Sequence, residues 1–294
     1  MEPTNSNVIE QYGVLRAKNS QDIPANRITK AFERAKQEGR GVLIPYLMCG
    51  FPSAEQSAEL VLAAAEGGAD IIELGIPFSD PLADGATIQH AGHVALEQGM
   101  TINGCMEIAR QVAARSNVPL LFMGYYNPIL SYGIERFCAT ANANGISGII
   151  VPDLPAEEAA PLQEEAQRHG LTLIFLVPPT APNQRIENIV ARTRKGPAGF
   201  IYCVSLSGVT GSRKELPSHL RSFIERVRSY TKEIPLAVGF GLSTPEHIAQ
   251  VTTFVEGAVV GSALVNLIDQ NEMGQQVDAV RQYIASLRNH QGLE

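Results

Sequence analysis

Eight short apolar runs recur along the chain, each followed by a loop rich in Gly, Pro and Asp and then by a longer amphipathic stretch. The runs occupy residues 42–48, 71–74, 120–123, 148–151, 173–177, 199–203, 236–238 and 257–260. They are continuously apolar instead of alternating, so the strands they predict are covered on both faces, the pattern of a parallel sheet. The stretches between and after them, at 54–66, 102–114, 134–142, 156–169, 184–194, 217–230, 244–251 and 275–287, predict helices. There apolar residues fall three and four apart, as in Leu60, Ala63 and Ala64 or Leu220, Phe223, Ile224 and Val227. Eight strands alternating with helices predict an α/β fold, a TIM (β/α)8 barrel, with an extra N-terminal helix at 28–37 plugging the barrel bottom. The competing architecture is an open doubly wound sheet. That fold carries a G-x-G-x-x-G turn after its first strand, where this chain has Met48-Cys49-Gly50-Phe51-Pro52. No linker interrupts the repeat, so residues 26–294 are read as one catalytic barrel and the polar residues 1–25 as a flexible arm.

Composition enters where it excludes. A length of 294 residues suits one barrel, and 45% apolar with 18% charged residues supplies a large core. A net charge of −7 argues against a nucleic-acid partner, which needs a basic face, but leaves an anionic small molecule open because a few backbone amides hold a phosphate. Cys49, Cys105, Cys138 and Cys203 lie far apart with no C-x-x-C pair, the usage of free thiols in a reducing cytoplasm. Neither a secretory signal nor a run of roughly 18 apolar residues is present in the sequence.

In barrels of this kind chemistry sits at the C-terminal strand ends. Glu73 falls inside the otherwise apolar second strand, where a carboxyl must be paired or have a raised pKa, and no Lys or Arg stands at any strand end to pair with it. A carboxyl so perturbed is suited to general acid/base work. Asp80 and Asp84 follow in a loop between prolines and glycines. On the residues alone, Asp84 is balanced between chemistry and capping a helix that begins near Ala86. Glycine-bearing turns after the sixth, seventh and eighth strands, including Gly211, Gly241 and Gly261-Ser262, expose backbone N–H groups together and predict a phosphate site. None of Lys18, Lys30, Lys36, Lys195, Lys214 and Lys232 ends an apolar strand, which disfavours a Schiff base. His90 and His93 form the only close histidine pair, without a third ligand, and are read as surface residues, so no metal is expected.

The string Glu73-Leu74-Gly75-Ile76-Pro77-Phe78-Ser79-Asp80-Pro81-Leu82-Ala83-Asp84-Gly85 closely resembles the signature of the tryptophan synthase alpha subunit family. Pro152-Asp153-Leu154-Pro155, Ser207-Gly208-Val209-Thr210-Gly211 and Gly239-Phe240-Gly241 resemble it too, and the likeness runs from about Arg27 to the last helix. The resemblance implies a lyase that splits indole-3-glycerol phosphate into indole and glyceraldehyde 3-phosphate in tryptophan biosynthesis. It implies Glu73 as the proton shuttle, Asp84 as the carboxylate that meets the indole N–H, and Tyr202 as a further residue of the catalytic centre. Gly211, Gly241, Gly261 and Ser262 would hold the phosphate, Thr210 would meet Asp84 on loop closure, and Tyr46, Met123, Tyr125, Leu176 and Phe240 would line the indole pocket. No cofactor is implied in this chain, since pyridoxal phosphate belongs to a separate beta subunit. That partner would complete an alpha2beta2 heterotetramer through the loops after strands two and three, including Asp80 and Asn127-Pro128.

Departures from the family pattern lie near the site: Ala86 stands where proline is usual, Tyr46 where phenylalanine is common, and Pro152 and Met123 are variations in the indole pocket. The loops carrying Asp84 and Thr210 have little apolar anchoring and are expected to stand open in the isolated chain. Three other readings are set against this one: a stand-alone lyase that releases free indole, a different phosphate-handling barrel enzyme, and a barrel kept only to activate a partner. The second needs ionisable groups ending strands one and five, where there are none, and the third predicts loss of Glu73 or Asp84, both of which are present.

Overall fold

The structure, a computed structural model, describes residues 26–204, 216, 218–239 and 241–289. The arm expected over residues 1–25 lies outside them. One parallel sheet contains β1 (Val42–Met48), β2 (Ile72–Gly75), β3 (Leu120–Met123), β4 (Ile146–Ile150), β5 (Thr172–Ile174), β6 (Leu176–Val177), β7 (Ile201–Val204), β8 (Leu236–Gly239) and β9 (Gly257–Val260). Their order is β5-β4-β3-β2-β1-β9-β8-β7-β6. The first and last strands of that order are consecutive in the chain, with Phe175 alone between them. β5 pairs with β4, β6 pairs with β7, and the Phe175 carbonyl accepts the Tyr202 N–H at 3.0 Å. The run expected as one fifth strand is therefore two short ones. A closed sheet staggers its strands, and this segment serves one neighbour with its first half and the other with its second. Counted as one, it completes the eight-stranded barrel.

Closure explains why the strands read as unbroken apolar runs. On β1, Val42 and Ile44 point into the barrel, while Leu43 and Leu47 pack outward under the helices. The surrounding helices are α1 (Arg27–Gln37), α2 (Ala54–Glu66), α3 (Ala86–Glu97), α4 (Ile102–Ala113), α5 (Tyr126–Tyr132), α6 (Ile134–Ala143), α7 (Ala160–Arg168), α8 (Asn183–Thr193), α9 (Leu220–Thr231), α10 (Pro245–Thr252), α11 (Ser262–Gln270) and α12 (Gln276–Asn289). Ser53, Thr101 and Thr244 cap α2, α4 and α10 by accepting a backbone N–H. α5 has no counterpart in the hydrophobic pattern, because two turns are too short to show a period. α7 begins four residues later than its pattern suggests, with Pro161 in its first turn.

α1 plugs the bottom as expected, placing Ile28, Ala31 and Phe32 in the inner cluster with Ile44, Ile71, Leu121 and Phe200. The same end is clamped by Asp70, whose carboxylate is 1% exposed. It accepts from Arg34 at 3.0 Å, Arg40 at 2.7 Å, Arg288 at 3.3 Å and the Leu43 N–H at 3.0 Å. One side chain thus ties α1, the turn before β1 and α12 to the barrel. Asp70→Ala would take the buried carboxylate from Arg40 and leave that nearly buried guanidinium with only the half-exposed Glu38 and the Gly41 carbonyl. We expect this to lower the unfolding free energy by about 3 kcal/mol or more in urea denaturation, with the cavity at the opposite end unaffected in the folded fraction.

Candidate active site

Glu73 points into the barrel from the middle of β2, in register with Tyr46 on β1 and Leu121 on β3. It is wholly buried, and among the described residues neither carboxylate oxygen has a hydrogen-bond partner. Burial without a counter-ion penalises the charged form and raises its pKa to about 8. The chain leaves β2 through a tight loop in which Asp84 N–H donates to the Pro81 carbonyl at 3.0 Å and Gln89 donates to the Asp84 carbonyl at 2.9 Å. Gly85, with no side-chain cap, starts α3. Asp84 is thus not a helix cap, and its carboxyl lines the same cavity as Glu73. Desolvation raises the Asp84 pKa to about 6, against a hydrogen bond from Tyr125 that lowers it. The Tyr125 hydroxyl also accepts the Ala83 N–H at 2.9 Å. The loop is thereby tied to the cavity wall at Ala83, through a phenol in the next strand's loop that no local pattern reveals.

Tyr125 is itself held in place. It is the N-cap residue of α5, and the next N–H, that of Tyr126, donates to Asp153 Oδ1 at 2.9 Å, so the loop after β4 secures the loop after β3. Across the barrel, four strands away from β2, Tyr202 rises from β7 with 7% exposure. Its ring passes so close to Gly239 that a Cβ there would lie 2.9 Å from Tyr202 Cε2. Burial drives the Tyr202 phenol well above its ordinary pKa, and the charges of Glu73 and Asp84 add to that. It is a neutral donor at any physiological pH.

The third wall is backbone. Leu264 and Val265 donate to the Gly261 carbonyl at 2.9 and 3.1 Å, which leaves the preceding N–H groups at the start of α11 without an acceptor inside the helix. Gly241 beside them has φ +73°, a left-handed conformation that glycine adopts without strain. The positive end of a nine-residue helix next to a glycine turn is a place for an anion. These elements enclose a cavity of about 370 Å³, large enough for a bicyclic ring with a short phosphorylated tail.

The family profile described as Tryptophan synthase alpha chain matches residues 32–292. This chain belongs to that family. It is 50% identical over 263 residues to the tryptophan synthase alpha chain of Chloroflexus aggregans, covering 89% of this chain and 97% of that protein. Among solved structures it resembles Mycobacterium tuberculosis tryptophan synthase, with TM-score 0.84 and 31% identity over 92% of this chain and 100% of that one. It also resembles a chain of the tryptophan synthase a2b2 complex of Pyrococcus furiosus, with TM-score 0.78 and 37% identity over 85% of this chain and 99% of that one.

Of the residues to which the alpha-chain resemblance pointed, the cavity gathers Tyr46, Glu73, Asp84, Met123, Leu176, Tyr202, Gly241, Gly261 and Ser262, and Tyr125 touches Asp84 from just behind. Thr210, Gly211 and Phe240 lie outside the described residues. His90 and His93 are exposed, beside Asp269 and Glu97 respectively. Sequence reasoning missed roles for Asp153 and Arg185. Asp153 lies in the loop that follows β4, within reach of the strand-end rule. Arg185, the one cation lining the cavity among the described residues, comes from within α8, where that rule does not look. For the anion end, a bulky side chain at Gly241 or Gly261 should raise KM for a phosphorylated indole substrate far more than it weakens binding of indole itself. Equal damage to both ligands, measured by steady-state kinetics and by indole titration, would remove the phosphate from these turns.

Proposed function

We propose that in this chain the cleavage of indole-3-glycerol phosphate to indole and glyceraldehyde 3-phosphate is carried by Glu73 and Asp84, working in opposite protonation states in one cavity. The observation that carries this reading is the unpartnered, fully buried carboxyl of Glu73, with its pKa near 8, sharing the cavity with an Asp84 whose pKa is about 6. Between these values Glu73 holds a proton and Asp84 does not, the division of labour the chemistry requires. Protonated Glu73 delivers its proton to indole C3. The ring becomes an iminium-like cation, and the Asp84 carboxylate stabilises its N–H. Glu73, now a carboxylate, takes the proton of the hydroxyl on the adjacent side-chain carbon. As the C–C bond to C3 breaks, its electron pair returns to the ring, an aldehyde forms on the glycerol fragment, and Glu73 is again protonated. The protonated ring is the electron sink, so the step asks for neither a Schiff base nor a cofactor in this chain. Gly241, Gly261 and Ser262 hold the phosphate, and Tyr46, Met123, Leu176 and Tyr202 enclose the ring.

Glu73→Gln should abolish indole release, since the amide cannot carry a proton, and an activity within tenfold of the parent would sink the assignment. The same change should stabilise the fold. Glu73 has a raised folded pKa, so its carboxyl is neutral in the folded chain at pH 7 but ionised in the unfolded one. That penalty is absent below pH 4.5 and grows as pH rises toward 8. Replacing it should therefore raise the unfolding free energy by up to ~3 kcal/mol at pH 7 and by little at pH 4. The parent's kcat should follow a bell, falling below about 6 as Asp84 gains a proton and above about 8 as Glu73 loses one.

A beta subunit is the partner this family membership suggests, and the exposed surface is consistent with one. Leu82 and Leu130, on the loop after β2 and on α5 after β3, are 89% and 47% exposed, beside Asp80 and Asn127-Pro128 at the mouth of the barrel. A partner seated there grips the loop that carries Asp84 and favours its catalytic position, by no more than its differential affinity. The isolated chain should be slow, and saturating beta subunit should raise its turnover substantially. A full rate alone, unchanged by the partner, would instead identify a stand-alone lyase that releases indole. Pyridoxal phosphate belongs to that partner.

A further inference from the structure

From Pro77 to Asp84 the loop after β2 has few ties to the rest of the barrel. Among the described residues, the hydrogen bonds that leave this loop and α3 all end on one side chain, Tyr125. The phenol accepts the Ala83 N–H at 2.9 Å, one residue before Asp84, and the Tyr125 ring lies 5.3 Å from that of Phe78 on the same loop. Where Tyr125 stands therefore decides where Asp84 stands. Its backbone is pinned on both sides from β4 and the loop that follows. The Gly124 N–H donates to the Ile150 carbonyl at 3.1 Å, and the Tyr126 N–H donates to Asp153 Oδ1 at 2.9 Å. The first acceptor is main chain, present whatever the sequence; the second is a side chain that the sequence had to supply. Nothing within α5 replaces it. The Tyr126 N–H opens that helix and has no acceptor one turn back, and Tyr125, the N-cap residue, offers no side-chain cap.

We propose that Asp153 is a positioning residue for the reaction: its carboxylate seats Tyr125, and Tyr125 holds the loop so that Asp84 meets the ring N–H. The inference rests on the reading of Asp84 given above. Each link is a direct contact, from Asp153 to the Tyr126 N–H and from the Tyr125 phenol to the Ala83 N–H. Only an acceptor atom at the right place is asked of residue 153, not a charge. Asp153 is exposed on its loop, so truncating it leaves no hole in the core. It also borders the cavity, which makes direct contact with the substrate the rival role. The two roles separate through Tyr125. A residue that acts by seating the phenol has nothing left to do once the phenol is gone, whereas a substrate contact is lost independently of it.

The test is kcat and KM for indole-3-glycerol phosphate in the full chain and six variants. These are Asp153→Ala, Asp153→Asn, Asp153→Glu, Tyr125→Phe, the double variant Asp153→Ala/Tyr125→Phe, and Asp84→Asn. Misplacing Asp84 should lower kcat about tenfold in Asp153→Ala, with KM nearly in place. Asp153→Asn should stay within about twofold of the parent, because its amide oxygen accepts the same N–H. Asp153→Glu keeps the charge but carries the acceptor one methylene too far, and should be nearly as slow as Asp153→Ala. The double variant should be no slower than Tyr125→Phe alone, where independent tenfold losses would multiply to about a hundredfold. Losses that multiply overturn the assignment, and so does a raised KM with kcat unchanged, the mark of a substrate contact. An Asn variant as slow as the Ala variant beside a fast Glu variant also overturns it, and that contrast decides the matter if Asp153→Ala does not fold. If Asp84→Asn is inactive while the losses multiply, the Asp153 assignment alone falls. If Asp84→Asn keeps the parent rate, the reading of Asp84 fails and takes the assignment with it.

Discussion

The chemistry of this barrel depends on its closure. A parallel sheet with an open edge would leave a row of amides and carbonyls to be solvated, and water at that edge would reach the interior. Here the segment from Thr172 to Val177 pairs with β4 through its first half and with β7 through its second, pivoting at Phe175, so the two ends of the sheet meet in one segment. Inside this wall Glu73 is wholly buried, and that burial raises its pKa to about 8, so the carboxyl keeps its proton at neutral pH. Glu73 needs no partner to be perturbed; it needs the absence of one, and the continuous wall of strands secures that absence.

Asp70 and Glu73 show how position along one segment separates stability from function. They lie three residues apart, and both are almost completely buried. At the bottom of the barrel Asp70 is met by three arginines and a backbone amide, a satisfied network that fastens the helices at both ends of the described chain to the sheet. Toward the top Glu73 meets no cation among the described residues. Its burial disfavours folding at neutral pH, and the clamp below is one of the interactions that offset it. The same polarity holds for the glycines: Gly148 and Gly257 admit the Ile28 and Phe32 side chains of the plug at the bottom, while Gly75 and Gly239 admit the Tyr46 and Tyr202 rings at the top.

The upper loops form a chain of support from one strand to the next. Asp153 after β4 holds the start of α5, Tyr125 at that start holds the loop after β2, and that loop carries Asp84. A change of position in any of them reaches the carboxylate through two hydrogen bonds. Because Leu82 protrudes from the same loop, a surface docking there is mechanically linked to the cavity without touching a reacting group.

The sequence by itself determined the class of fold and the family, and it singled out the carboxyl that the structure buries in the cavity wall. Unbroken apolar runs alternating with helical periods leave few architectures besides a closed parallel barrel, and a glutamate inside such a run is anomalous on sight. The signature around Glu73 and Asp84 named the family for the same reason, since it is local and contiguous. Tertiary structure decided what depends on residues distant in the chain. It split the fifth strand at Phe175, because a strand must satisfy two neighbours that the chain supplies elsewhere. It moved Asp84 from an even choice between cap and chemistry to the cavity wall, through a tyrosine 41 positions later. It brought Asp153 and Arg185 to the site and set Tyr46 over Gly75, because register between strands is fixed by the closure of the whole sheet and is written in no single stretch of the chain.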